Sequence, residues 1–139
     1  MKLTGNIRKM KSALGNVVQY QLPLYDILEP NHYIPLNELV GQKFRLTFEN
    51  AIHCVVTGKK INKVFGEGMS YEAFMNSPEA SPSIIRPELS RIHEGIALRD
   101  YEWEMEHHMQ PHYAYLSNTS GLKIGVTRTT QVPTRWIDQ

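Results

Sequence analysis

Between residues 66 and 95 no apolar period survives for more than a few positions, and this stretch constrains the fold more than any other. Gly66, Gly68, Pro78, Pro82, Pro87 and Gly95 interrupt every run, and these two residue types are the strongest breakers of helix and strand. At most one helical turn is expected, near residues 71–75. So long a stretch with so little regular structure is uncommon in a compact domain unless something else orders it. A bound metal is one such device. Neither a long helix nor a continuous sheet can run through the middle of this chain, so regular structure must lie on its flanks.

On the N-terminal flank, residues 5–10 and 17–22 border the turn signal Leu14-Gly15-Asn16, which predicts a hairpin. Pro23, Pro30 and Pro35 make the following segment read as loop. Residues 36–41 read as a single turn. The clearest strand pattern is in residues 42–49, where Phe44, Leu46 and Phe48 share one face and Lys43, Arg45 and Thr47 the other. That period of two predicts a half-buried strand, with residues 52–56 returning as its partner and a further short strand at Val64-Phe65.

On the C-terminal flank, Asp100 is a good N-cap for a helix over residues 101–109, which Pro111 ends. Tyr113, Tyr115 and Ser117 then alternate with Ala114 and Leu116. Asn118 to Gly121 turn the chain, and Leu122, Ile124 and Val126 return opposite Lys123 and Thr127. Gly125 in mid-strand marks a bulge or a close approach. Pro133 reads as the first residue of a new helix carrying Arg135 and Trp136.

Composition bounds the class. A chain of 139 residues is one domain or two small modules, and 41% apolar with 21% charged residues fits a soluble globular protein. No apolar run nears the roughly 20 residues of a membrane helix, and residues 1–8 lack the apolar stretch of a secretory signal. The single cysteine, Cys54, excludes an internal disulfide, and cytoplasm is the expected location. Lys and Arg outnumber Asp and Glu nine to four over residues 1–63, are outnumbered three to nine over 64–109, and lead three to one over 110–139. Two basic ends around an acidic middle suit a polyanion contact at the ends.

Cys54 and six histidines are the soft-ligand inventory, but His53-Cys54, His93 and His107-His108 lack the paired C-x-x-C spacing of a zinc site. Ordinary hydrogen bonding of these histidines is expected, with no metal ligand or cofactor assigned. Cys54 beside apolar neighbours reads as a small buried residue and not a nucleophile. Glu102, Glu104 and Glu106 are spaced by two, so on a helix they diverge and make no acid/base pair. The remaining constellation is Tyr113, Tyr115, Lys123, Gly125, Arg128 and Arg135. Phenols can orient groups or shuttle protons, guanidinium groups can clamp phosphate, and a glycine admits a phosphate backbone. Exposed tyrosines on a half-buried strand and a solvated arginine are the plain alternative.

Residues 110–128 and 131–139, with residues 5–10 and 36–53, closely resemble bacterial proteins of the uncharacterised family called domain of unknown function 2797. The resemblance covers nearly the whole chain and implies a longer protein than 139 residues. In that family the middle region carries cysteines at zinc-ribbon spacing. Matching the flanking residues puts those positions at Cys54, Thr57, Ser70, Ala73, Ala80, Ser83, Ser90, Ala97 and His108. Only Cys54 keeps its thiol, His108 is the one replacement able to bind metal, and His93 matches a family histidine. The resemblance thus implies a degenerate ribbon, repacked around Phe65, Tyr71, Phe74, Ile84 and Ile85 or left loose. Losing a structural zinc removes folding free energy that must be replaced.

The final segment is similar, more distantly, to the GIY-YIG nuclease superfamily. On that likeness Tyr113 or Tyr115 stands for the first motif's tyrosine, Lys123-Ile124-Gly125 for the second motif, and Arg135 for the helix arginine. Lys123 stands where the best-known members have a second tyrosine, and their metal-binding glutamate would fall beyond Gln139.

The expected protein is therefore α+β: an N-terminal antiparallel β unit (residues 1–65), an irregular, degenerate zinc-ribbon-like insert with a helix (66–109), and the start of a GIY-YIG-like hairpin and helix (110–139). The leading functional reading is a nucleic-acid-binding module contacting DNA or RNA through Tyr113, Lys123, Gly125 and Arg128. A fragment of a metal-dependent nuclease using Tyr115 and Arg135 is the second reading, and a non-catalytic structural or protein-interaction domain the third. No membrane partner is expected, and oligomeric state is left open.

Overall fold

The computed structural model describes residues 1–138, which form two compact units that meet between Met75 and Asn76 in the chain. Helices and antiparallel strands occur together, so the chain is an α+β protein.

The first unit is built around β3 (Gln19–Asp26). β4 (Glu29–Pro35) pairs along one side of it, while β1 (Asn6–Ile7) and β2 (Lys11–Ala13) share the other, all antiparallel. The expected hairpin around residues 14–16 is present, with Ala13 opposite Gln19. The proline-rich segment is not loop, as its sequence suggested, but two paired strands. Pro23 falls where β1 gives way to β2, so its missing N–H interrupts no ladder on that side, and Arg8 N–H donates to its carbonyl at 3.1 Å. Pro30 and Pro35 lie on β4, at the sheet's edge. Residues 36–39 form the expected turn, a 3-10 segment (Leu36–Leu39). Its Asn37 side chain accepts from Tyr20 N–H at 2.7 Å and donates to Val18 O at 2.9 Å, extending the sheet's hydrogen bonding.

Residues 42–49 depart from expectation. They run without turn or bend, but join no strand pair among the described residues, and Phe44, Leu46 and Phe48 are all exposed. Residues 52–53 pair instead with residues 60–61, as β5 (Ile52–His53) and β6 (Lys60–Ile61). Alternation gives a segment the capacity to pair, but a strand forms only where a partner is within reach. Phe65 and Met69 form an isolated bridge, and α1 (Tyr71–Asn76) is the expected helical turn. Phe65 packs on Tyr71 edge-on, with ring centroids 5.2 Å apart, and on Phe74 at 6.2 Å.

The second unit begins with a staircase of 3-10 turns, Pro78–Ala80, Pro82–Ile84, Pro87–Leu89 and Ile92–Glu94, three of them opened by a proline. Ile92 is its buried apolar anchor, and Ser81 and Ser83, earlier in the staircase, are buried as well. Ile84 and Ile85, two of the residues around which repacking was one alternative, are exposed. In α2 (Tyr101–His108) Asp100 caps as expected, accepting from Trp103 N–H at 2.8 Å. β7 (His112–Asn118) and β8 (Leu122–Arg128) form the expected hairpin, followed by α3 (Thr134–Ile137).

Candidate nucleic-acid interface

The pairing of β7 with β8 places Tyr113 opposite Thr127, Tyr115 opposite Gly125 and Ser117 opposite Lys123. Successive side chains alternate across a strand, so Tyr113, Tyr115, Lys123 and Gly125 share one face. Arg128 pairs with His112 on the other. Four of the anticipated residues are therefore brought to one surface, and Arg128 is not.

Trp136 of α3 lies against this face. Its ring centroid is 6.0 Å from that of Tyr113, tilted by 45°, and 6.0 Å from that of Tyr115, nearly edge-on. Such spacing suits attractive aromatic pairs. Tyr113 is 49% exposed and Trp136 44%, so both rings still offer surface to a ligand. A pocket of about 390 Å³ opens beside them, lined by Tyr115, Leu116, Ser117, Thr119 and Trp136. Arg135 is exposed on α3 next to Trp136.

The opening expected at Gly125 is filled from within the hairpin. A Cβ at this position would lie 2.4 Å from Cζ of Tyr115 and 2.5 Å from its hydroxyl oxygen. The close approach that the glycine permits is that of the tyrosine ring, which leaves no room there for a phosphate backbone.

Two polar clusters lie outside this face. In the first unit Cys54 is fully buried, not in mid-strand but in the turn just after β5. Its Sγ accepts from Ser70 N–H at 3.2 Å and Thr57 N–H at 3.4 Å, while Ser70 Oγ accepts from Ala73 N–H at 3.2 Å. Positions 54, 57, 70 and 73, far apart in two stretches of chain, thus form one cluster. Burial alone would raise the Cys54 thiol. Hydrogen bonds from Thr57's side chain and from the backbone of Ser70, Thr57 and Val56 outweigh it and lower its pKa to about 6.

In the second unit Glu104 is completely buried. Its carboxylate accepts from Leu98, Arg99 and Asp100 N–H groups at 3.0–3.1 Å. Burial would raise its pKa, but these donors and the nearby His108 hold it below the usual carboxylate value. Glu102 and Glu106 are exposed, so the three glutamates do diverge. His108 Nε2 hydrogen-bonds Ser83 Oγ at 2.9 Å, and Ser83 in turn meets Ser81 Oγ at 3.0 Å. Burial lowers the His108 pKa. Glu104 opposes this, while Arg128, His107 and His112 add to it.

Four of the six histidines, His108 among them, make the ordinary hydrogen bonds anticipated. His53 meets Asn6 Oδ1, His107 meets Trp103 O and His112 meets Gln110 O. The role of Glu104 was not legible in the sequence. Its one signal is a glutamate four residues after an N-cap aspartate, close to a capping box in which the acid reaches back to the cap's N–H.

A chain with an antiparallel sheet, a staircase of 3-10 turns and a separate hairpin–helix segment is an α+β protein of composite build. The family described as protein of unknown function (DUF2797) matches residues 41–139, and the chain belongs to that family. No curated protein and no solved structure matches it. Among the described residues no helix is long and apolar enough to cross a membrane.

Proposed function

We propose that this chain is a nucleic-acid-binding module that takes up unpaired bases on the face formed by Tyr113, Tyr115 and Trp136. The observation that carries this reading is the half-exposed pair Tyr113 and Trp136, held 6.0 Å apart beside a pocket. Base stacking on such rings is worth about 1–3 kcal/mol per base and tolerates any sequence. Lys123 on the same face, with Arg135 next to Trp136 in the chain, supplies positive charge for the phosphates. The test is fluorescence anisotropy with a labelled single-stranded oligonucleotide and a duplex of the same sequence. Single strands should bind at low salt, more tightly than the duplex, and Trp136→Ala should weaken binding by about 1–3 kcal/mol. No binding at low salt would sink the reading.

The order of hairpin and helix also supports a second reading, a GIY-YIG-like nuclease module with Tyr115 and Arg135 at its catalytic site. Such a protein would cut DNA with Mg²⁺ and lose cutting in Arg135→Ala. Equal cutting by that variant would remove the idea.

We further read the Cys54 cluster as a degenerate zinc ribbon, because positions 54, 57, 70 and 73 lie together as four ribbon ligands would. The residues present do not fit the metal: one thiol, a threonine, a serine occupied in capping Ala73 N–H, and an alanine. Near one equivalent of zinc in purified protein would refute this.

A further inference from the structure

We propose that residues 43–49 form a self-complementary interface strand through which two copies of this chain pair antiparallel about a two-fold axis at Leu46. Phe44, Leu46 and Phe48 are 65%, 72% and 66% exposed, and every residue from 41 to 50 is exposed. Among the described residues, those from 43 to 49 make no backbone hydrogen bond. The segment runs without turn or bend between two residues of positive φ, Gly41 at 79° and Asn50 at 59°. It is a free edge of strand length, with an apolar face and both rows of main-chain donors and acceptors open. Such an edge is a template for another strand.

The charges identify a second copy as the occupant. Centred on Leu46, antiparallel pairing sets Lys43 opposite Glu49 twice, Arg45 opposite Thr47 twice, and Phe44 opposite Phe48 twice. Opposite charges and aromatic pairs directly across a strand are the stabilising cross-strand combinations. Six apolar side chains then form one continuous face, and the contact is isologous, as a two-fold dimer requires. Sliding the register by two residues one way sets Arg45 against Arg45. Sliding it the other way leaves Phe44 opposite Asn50, where the strip ends. The centred register alone matches all three apolar residues and Lys43 with Glu49.

The experiment is sedimentation velocity of the full chain from micromolar to near-millimolar concentration. Wild type should show a concentration-dependent monomer–dimer equilibrium. Lys43→Glu sets Glu against Glu49, and Glu49→Lys sets Lys43 against Lys. Each should weaken self-association about tenfold, from two like-charged cross-strand contacts. An equimolar mixture of the two variants should recover wild-type affinity, because each copy then complements the other. Leu46→Cys should give a disulfide-linked dimer on mild oxidation, since the native Cys54 is fully buried. A monomer at every concentration would overturn the proposal. So would a dimer indifferent to both charge reversals, which would place the contact on another surface, such as the exposed Leu116, Ile124 and Val126 side of the β7–β8 hairpin. These positions are exposed, so far-ultraviolet circular dichroism should be unchanged in all variants.

Discussion

The ring of Tyr115 lies over Gly125, its cross-strand partner, so closely that a Cβ on residue 125 would sit 2.4 Å from the ring's Cζ. The glycine leaves room for the hydroxyl end of that ring, which meets Trp136 nearly edge-on. This is the arrangement in which an aromatic side chain shields a strand glycine across the sheet.

Gly125→Ala should therefore lift Tyr115 from the strand and part it from Trp136. We expect a loss of about 1 kcal/mol, the scale of one aromatic pair, with a change in near-ultraviolet circular dichroism. A variant with unaltered aromatic signal would show that the packing does not depend on the glycine.

Cys54 confers a pH dependence of definite sign. Its folded pKa of about 6 lies below the ordinary value of 9.0. Between these limits the unfolded chain binds the extra proton, so stability rises with pH, by at most about 1.4 kcal/mol per pH unit. It is fully present above pH 9 and lost as pH falls through 6. Denaturation at a series of pH values should show this slope in wild type and lose it in Cys54→Ser.

Glu104→Gln should be strongly destabilising, because a neutral amide is a poorer acceptor and turns N–H groups toward the donors of Leu98, Arg99 and Asp100. A loss of about 3 kcal/mol is expected for a buried charged acceptor serving several donors. The depressed carboxylate pKa means that this stabilisation is present above the ordinary value of 4.5 and lost as pH falls below it. Acid titration of wild type against Glu104→Gln, followed by circular dichroism, checks both statements.

His108 should stay neutral in the folded protein below its ordinary value of 6.5, because burial disfavours the imidazolium. The unfolded state takes up the proton first, so stability falls as pH drops below 6.5. Nuclear magnetic resonance titration of the His108 ring should give a midpoint below those of free histidines. Ser83→Ala removes its hydroxyl partner and should cost about 1 kcal/mol.

The hairpin of residues 112–128, the cap at Asp100, the short helix after Ser70 and the irregular centre were all legible in the sequence. Each follows from interactions within a few residues: alternation across a strand, a side chain reaching the next turn's N–H, a proline or glycine that breaks a run. The candidate face was legible to the same extent, since strand alternation alone groups Tyr113, Tyr115, Lys123 and Gly125. The same alternation sets Arg128 on the opposite face. Only the three-dimensional packing shows that Trp136 covers part of the candidate face and that Tyr115 occupies the space over Gly125.

What the sequence determined by itself is thus the set of local choices, because backbone propensity and capping act over a few residues. The tertiary structure decided which of those elements found partners. It made strands of the proline-rich residues 19–35 and left residues 42–49 unpaired despite their alternation. It also gathered Cys54, Thr57, Ser70 and Ala73 from separate turns and buried Glu104 beneath three backbone donors. Pairing and burial depend on which distant segments come into reach, and no local pattern encodes that distance.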